Sequence, residues 1–101
     1  MNLVYLITCR KCSLQYVGET NRTLRDRLND HRSAIRLKKN TPTGLHFNSQ
    51  GHSALDLNII GIELIKNDTK EGKFRKSREK LWQTILKTIH PHGLNGLIGS
   101  T

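Results

Sequence analysis

Two short runs of strand-forming residues stand close together near the start of the chain. Leu3–Thr8 reads Leu-Val-Tyr-Leu-Ile-Thr, and Leu14–Val17 follows after the five residues Cys9–Ser13. β-Branched and aromatic residues favour strands, and a connection of this length suits a hairpin. The chain is therefore expected to begin with a paired hairpin, whose sheet must be covered by the helices that follow.

A helix is predicted directly after this hairpin. Asn21 can act as its N-cap, and the apolar residues Leu24, Leu28 and Ile35 keep the spacing of one helical face. The helix should fade near residues 38–40, because a proline follows shortly afterwards.

The middle of the chain has a different composition. Residues 42–53 are rich in Gly, Asn, Ser and His and suit a loop or a short helical turn. Leu57–Ile65, rich in Ile and Leu, reads as a third strand.

A second helix is predicted after the third strand. Asp68 and Glu71 resemble a capping box, and Gly72 weakens the first turn, so the regular helix is expected to begin closer to Lys73. Pro91 and Gly93 should end it. Its broad apolar stripe consists of Phe74, Leu81, Trp82, Ile85 and Ile89.

This order of elements predicts an α+β fold, in which a small three-stranded antiparallel sheet is flanked by helices. The 101 residues fit a single domain, residues 1–101. With only 35% hydrophobic residues the core will be thin, so an additional staple such as a metal ion would suit the chain. The apolar run of residues 59–62 stops at Glu63, which argues against a membrane span.

The charge of the chain points to a polyanionic partner. Its 17 Lys and Arg residues outnumber 8 Asp and Glu residues, for a formal net charge of +9. Nine cationic residues lie between Arg10 and Lys39, eight between Lys66 and Lys87, and none in residues 40–65. Two cationic segments that fold together would form one basic face, and nucleic acid is the first partner to consider.

Two cysteines and two histidines form a candidate metal site. Cys9 and Cys12 have the spacing of a zinc half-site, and His46 and His52 could complete a tetrahedral set. The 33 residues between Cys12 and His46 require the fold to bring the two halves together. Buried free cysteines are the alternative.

Several short motifs together resemble the ordered signature of the GIY-YIG nuclease family. They are Leu3-Val4-Tyr5, Tyr16-Val17-Gly18, Arg27, His31, Glu79 and Asn95. A larger set resembles the endonuclease domain of Penelope-like retroelements: Tyr16-Val17-Gly18-Glu19-Thr20, Cys9 with Cys12, His46-Phe47-Asn48, Gly51-His52-Ser53, Arg78-Glu79, Trp82 and residues 90–95. Leu3 departs from the pattern, which has glycine at this position.

The resemblance implies a catalytic role for six residues. Tyr5 would assist deprotonation of the attacking water, with help from a nearby cation because a free phenol is a poor base at neutral pH. Tyr16 and His31 would belong to the same site, and Arg27 would hold the scissile phosphate. Glu79 would hold one Mg²⁺ or Mn²⁺ ion. Asn95 would hydrogen-bond to DNA phosphate or to water.

Each of these six residues also has an ordinary structural explanation. Strand tyrosines are commonly packing residues, and a charged residue on a helix is commonly solvated. A histidine on an apolar face is commonly a hydrogen-bonded core residue, and asparagine is common in turns.

The implied function is metal-dependent hydrolysis of DNA phosphodiester bonds, which would nick target DNA for retroelement insertion. The Cys/His set would then hold a structural Zn²⁺, and the parent protein would carry a reverse transcriptase domain and act in the nucleus or elsewhere inside the cell. A non-catalytic zinc-stapled DNA-binding module and a structure-specific DNA repair nuclease are the alternatives, and the oligomeric state stays open.

Overall fold

A computed structural model describes residues 2–97 of the chain, and the predicted domain of residues 1–101 extends beyond them at residue 1 and residues 98–101. Within residues 2–97, three strands and three α-helices follow one another in the order β-β-α-α-β-α, with a short 3-10 helix (Ala54–Asp56) before the third strand. They are β1 (Asn2–Cys9), β2 (Gln15–Thr20), α1 (Leu24–Arg36), α2 (Pro42–Phe47), β3 (Leu57–Ile65) and α3 (Lys73–Leu86).

The strands form one antiparallel sheet with the order β2-β1-β3, which confirms the predicted fold class. β1 is the central strand, and its Leu6 lies between Val17 of β2 and Ile60 of β3. β2 continues three residues beyond the predicted end at Val17, as far as Thr20, which pairs with Leu3. Gly18 and Glu19 have little strand propensity, so pairing with β1 carries this strand through them to Thr20.

The two faces of β1 carry two separate hydrophobic clusters, because successive side chains of a strand point to opposite sides. The first face packs against α1 and α2 and consists of Leu3, Tyr5, Ile7 and Cys9. The opposite face, with Val4 and Leu6, packs against Trp82 and Leu86 of α3. Leu3, which stands where the family pattern has glycine, is a buried residue of the first cluster.

The first two helices differ from the prediction at their ends. The N-cap of α1 is Thr23 and not Asn21, because the Thr23 hydroxyl accepts a hydrogen bond from the Asp26 N–H. α1 ends at Arg36, slightly earlier than predicted. Part of residues 42–53 forms α2, which has Thr41 as its N-cap and Pro42 in its first turn.

The start of α3 agrees with the prediction, but its N-terminal cap does not. The helix begins at Lys73, and Gly72 precedes it in the left-handed conformation with φ 70°. Asp68 caps the helix without the predicted capping box, because its carboxylate accepts hydrogen bonds from the N–H groups of Phe74 and Arg75.

The end and the apolar face of α3 also correct the prediction. The helix ends at Leu86, before the predicted stop, and Lys87 follows in the left-handed conformation. Trp82 packs on the sheet, but the other predicted stripe residues are exposed: Phe74, Leu81, Ile85 and Ile89. The sheet offers α3 one face only, so much of its apolar surface stays in contact with solvent. No helix within residues 2–97 is long and apolar enough to cross a membrane.

Candidate active site

Tyr5 lies at the centre of the sheet, where two glycines flank it on the neighbouring strands. Gly18 of β2 and Gly61 of β3 are its partners in the strand pairing. A Cβ atom on Gly18 would lie 2.2 Å from both Cζ and Oη of Tyr5. The tyrosine ring therefore needs glycine at position 18, because it packs directly on the backbone there.

Replacing Gly18 with alanine is expected to displace the Tyr5 ring. Overpacking of this kind costs about 1–3 kcal/mol of unfolding free energy, and it would also move the Tyr5 hydroxyl. Gly61→Ala is a matched control, because its Cβ would meet only Leu3 Cδ1 at an ordinary 3.9 Å. Urea denaturation of both variants measures the difference. Equal destabilisation of the two would contradict the close approach at Gly18.

The Tyr5 hydroxyl contacts two side chains of α1, Arg27 and His31. Arg27 Nε donates a hydrogen bond to Tyr5 Oη at 3.0 Å, and His31 Nε2 lies 2.7 Å from the same oxygen. Arg27 and His31 can meet one hydroxyl because they stand one turn apart on the helix. The ring of Tyr16 on β2 lies 6.5 Å from that of Tyr5 and 5.7 Å from that of His31, measured between centroids.

Burial controls the protonation of both tyrosines. Desolvation raises the pKa of Tyr5 well above its usual value, the charge of Tyr16 raises it further, and the Arg27 cation acts in the opposite direction. Desolvation also raises the pKa of Tyr16, and the charge of Glu79 adds to that increase. Both side chains are therefore neutral phenols at physiological pH.

His31 is a buried neutral imidazole. Desolvation, and then the positive charge of Arg27, lower its pKa from 6.5 to about 4. Its second ring nitrogen, Nδ1, lies 2.8 Å from Oγ1 of Thr43 on α2. Both ring nitrogens therefore have a polar partner, as a buried histidine requires.

The low pKa of His31 predicts a loss of stability in weak acid. Because the folded state binds the proton less tightly than the unfolded state, stability falls as the pH drops from 6.5 towards about 4. Protonation of His31 is expected to lower the free energy of unfolding by up to about 3 kcal/mol. Urea unfolding across this range should show a shallower pH dependence for His31→Gln than for the wild type. The same slope in both proteins would contradict the neutral, buried imidazole.

Glu79 approaches the tyrosines from α3. Its side chain is half-buried, and its charge raises the pKa of both Tyr5 and Tyr16. Desolvation and the negative charge of Glu19 raise the pKa of Glu79 itself, and the Arg27 cation lowers it. A carboxylate in such surroundings gains from a divalent cation, which would offset both unfavourable effects.

Asn95 lies in the segment after α3 and forms hydrogen bonds inside the protein. It is buried, its Oδ1 accepts hydrogen bonds from the Val17 N–H and the Thr88 hydroxyl, and its Nδ2 donates to the Val17 carbonyl. The side chain thus forms hydrogen bonds with the backbone N–H and carbonyl of Val17, at the outer edge of β2 and next to Tyr16. These three hydrogen bonds show that Asn95 supports the backbone beside Tyr16, and its contact with DNA phosphate or water stays a prediction.

Two clefts open on either side of Arg27. One, of about 180 Å³, is lined by Tyr16, Asp30, His31 and Thr43 as well as Arg27. The other, of about 360 Å³, is lined by Arg22, Arg27, Arg75 and Lys76 together with Glu19. The Arg27 side chain is therefore accessible from both sides, and the second cleft is rich in cations.

Sequence reasoning missed two side chains of this site. Asp30 forms an ion pair with Arg27, with 3.5 Å between its Oδ2 and Arg27 Nη1. The i, i+3 spacing of the two residues on a helix could have indicated this ion pair. Thr43 contacts His31 from a different helix, and nothing in the local sequence indicates that contact.

The two cysteines and two histidines of the predicted metal site do come together. One ligand atom from each of Cys9, Cys12, His46 and His52 lies within 4.8 Å of the others, which suits a single metal ion. Cys12 Sγ lies 3.4 Å from His46 Nε2. His52 Nδ1 is within 3.2 Å of the Gln50 carbonyl oxygen, whereas its buried Nε2 has no hydrogen-bond partner. A ring nitrogen held on one side and unsatisfied on the other is typical of a metal-ligating histidine. We name these four residues the Cys/His cluster.

Comparisons with known proteins identify the family of this domain. The family described as the GIY-YIG catalytic domain matches residues 1–92. The chain is similar in fold to a solved structure, the catalytic domain of the homing endonuclease I-TevI, with a TM-score of 0.75 and 17% sequence identity. That similarity covers 96% of this chain and 99% of the other. A search of curated proteins gave no match. On the family match over most of its length, the chain belongs to the GIY-YIG family and is an endonuclease domain of that family.

Proposed function

We propose that this domain hydrolyses DNA phosphodiester bonds in a reaction that depends on a divalent metal ion held by Glu79. The observation that carries the proposal is the Tyr5 hydroxyl, which accepts a hydrogen bond from the Arg27 cation, lies close to His31 Nε2 and is within the electrostatic influence of Glu79. The net charge of +9 favours a polyanionic substrate.

Arg27 is the residue proposed to bind the scissile phosphate. Its Nε donates to Tyr5, and the contact of its Nη1 with Asp30 is long, at 3.5 Å. The guanidinium therefore retains donors for phosphate oxygens, and its charge would stabilise the negative charge that grows in the transition state.

Tyr5 is proposed to accept the proton of the attacking water. Because its raised pKa keeps it a phenol, it can do so only by passing its own proton onward. His31 Nε2, 2.7 Å from the hydroxyl and neutral, is the available acceptor. The hydroxide formed from water then bonds to phosphorus, the bond to the leaving 3′ oxygen breaks, and solvent protonates that oxygen. The products carry a 5′ phosphate and a 3′ hydroxyl.

Glu79 offers the hard oxygen ligand that Mg²⁺ or Mn²⁺ prefers, and its surroundings fit a cation. When bound, such an ion would supply positive charge for the phosphate oxygens and for the leaving group.

The Cys/His cluster is proposed to hold a structural Zn²⁺. Two thiolates and two imidazoles complete a tetrahedral shell and leave no open position for a substrate. The ion would therefore stabilise the fold and take no part in catalysis. It would join the loop after β1 to α2 and to the turn that follows, across a thin core.

Supercoiled plasmid incubated with the protein tests the main proposal. We expect nicked product with Mg²⁺ or Mn²⁺ and intact plasmid with a chelator, and end-labelling should find 5′ phosphates. Binding without cleavage under every metal would instead favour a non-catalytic zinc-stapled DNA-binding module. The substitution at Leu3 is the sequence feature that supports this alternative.

A role in retroelement insertion is our proposal for the biological context. It rests on the resemblance to Penelope-like endonuclease domains, and it implies a parent protein with a reverse transcriptase, a nuclear site of action and a 3′ hydroxyl that primes synthesis. Cleavage of linear duplex, flaps and junctions should be compared. A strong preference for branched DNA would favour a repair nuclease instead.

A further inference from the structure

Thr43 is a buried polar residue for which the proposed reaction has so far provided no role. It is 1% exposed, and its hydroxyl oxygen lies 2.8 Å from His31 Nδ1. Thr43 is at the beginning of α2 and twelve residues from His31 along the chain. The Thr43 hydroxyl thus contacts Nδ1 of the imidazole, whereas Tyr5 contacts Nε2. A buried hydroxyl in this place is suited to control the orientation of the His31 ring.

The hydrogen bonds at Tyr5 indicate which nitrogen of His31 carries the hydrogen. Arg27 Nε already donates to Tyr5 Oη, so the hydrogen of the phenol is free to be donated to His31 Nε2. A neutral imidazole that accepts at Nε2 must carry its own hydrogen at Nδ1. That N–H then points to Thr43 Oγ1, which can accept it.

We propose that Thr43 is a positioning residue, which accepts the Nδ1 hydrogen bond of His31 and so keeps Nε2 free to receive the proton of Tyr5. The inference rests on the proposed function, because it concerns the proton acceptor of that reaction. Without this acceptor the imidazole could adopt the other tautomer, in which Nε2 carries a hydrogen and cannot take up the proton.

The packing of α2 holds Thr43 in place. Threonine is branched at Cβ and has few rotamers. The Asn48 amide donates to carbonyl oxygens of both Ile35 in α1 and Gly44 in α2, which ties the two helices together. α2 also contains His46 of the Cys/His cluster, three residues after Thr43. The short helix is thus anchored both to the helix of His31 and to the cluster.

Thr43→Val and Thr43→Ser separate this role from ordinary packing. Valine keeps the shape and removes the hydroxyl, whereas serine keeps the hydroxyl and removes a methyl group. Loss of the hydrogen bond that orients a metal-ligating histidine typically costs about 10–100-fold in metal affinity or activity, and we take the same range for the hydrogen bond that orients His31. We expect a decrease of this size in kcat for Thr43→Val, an unchanged KM for DNA, and recovery to within a few-fold in Thr43→Ser.

A spectroscopic measurement tests the same inference without any cleavage. In ¹⁵N spectra, the wild type should show His31 with its hydrogen on Nδ1, and Thr43→Val should show a shift towards the Nε2–H tautomer. If Thr43→Val does not fold, Thr43→Ala replaces it, because alanine also lacks the hydroxyl and is smaller.

An unchanged tautomer, a normal kcat in the valine variant, or an equal loss in the valine and serine variants would each overturn the inference. If the wild type has no nuclease activity but Thr43→Val still shows the expected tautomer shift, the proposed function is rejected. The hydrogen bond between Thr43 and His31 is then established all the same.

Discussion

Glu79→Gln is expected to eliminate metal-dependent cleavage while the domain stays folded. Glutamine has nearly the same shape but carries no charge, so it would hold a divalent cation poorly. A catalytic metal ion contributes several kcal/mol of transition-state stabilisation, which corresponds to a loss of activity on the order of 10³-fold. Initial rates of plasmid nicking over a range of Mg²⁺ and Mn²⁺ concentrations measure this effect.

The stability of the same variant should not decrease. Burial and the charge of Glu19 raise the pKa of Glu79 in the folded protein, so its ionised form destabilises the fold above its usual pKa. Replacing it with a neutral amide removes that unfavourable contribution. We therefore expect an equal or higher unfolding free energy at neutral pH, together with the loss of cleavage.

Glu71→Gln provides the matched control, because Glu71 is an exposed carboxylate just before α3. It changes the net charge equally and should leave cleavage unchanged. If both variants lose activity to the same extent, the effect comes from total charge. If Glu79→Gln retains full activity, Glu79 is not the metal ligand.

Removal of the metal ion from the Cys/His cluster should produce the largest change in stability. We expect about one zinc ion for each purified chain. Zinc binding contributes folding free energy directly in small domains, so chelation or Cys12→Ser should lower the Tm by more than about 10 °C. Cys12 is the informative position because it is exposed, whereas Cys9 also packs in the core.

The controls distinguish loss of metal from a general effect of substitution. His92→Ala removes an exposed histidine outside the cluster and should change neither the zinc content nor the Tm. A chelator should lower the Tm of this variant as it lowers that of the wild type, and it should have little effect on Cys12→Ser. If the purified protein contains no zinc and Cys12→Ser has the same Tm as the wild type, the proposed structural zinc site is refuted.

The differences between the predicted and observed elements have a common physical origin. Local pattern predicts an N-cap at Asn21 and an extension of the last helix to Ile89, and both predictions are wrong. At Thr23 a hydroxyl lies within reach of the Asp26 N–H, and after Leu86 the backbone turns into the left-handed region. Local pattern is least informative at such ends, because neighbouring caps compete with similar energies.

Local sequence pattern was sufficient to predict the order of the strands and main helices and the antiparallel sheet, whereas the resemblance to GIY-YIG nucleases indicated Tyr5, Tyr16, Arg27 and Glu79 as a possible site. Strand and helix periodicity depend on neighbouring residues, so they can be recognised without the tertiary fold. The association of Cys12 with His46, the contact between Thr43 and His31, and the engagement of Asn95 by Val17 were decided by the tertiary structure. These partners are 34, 12 and 78 residues apart, and a hydrogen bond over such distances depends on how whole elements pack, which no local pattern encodes.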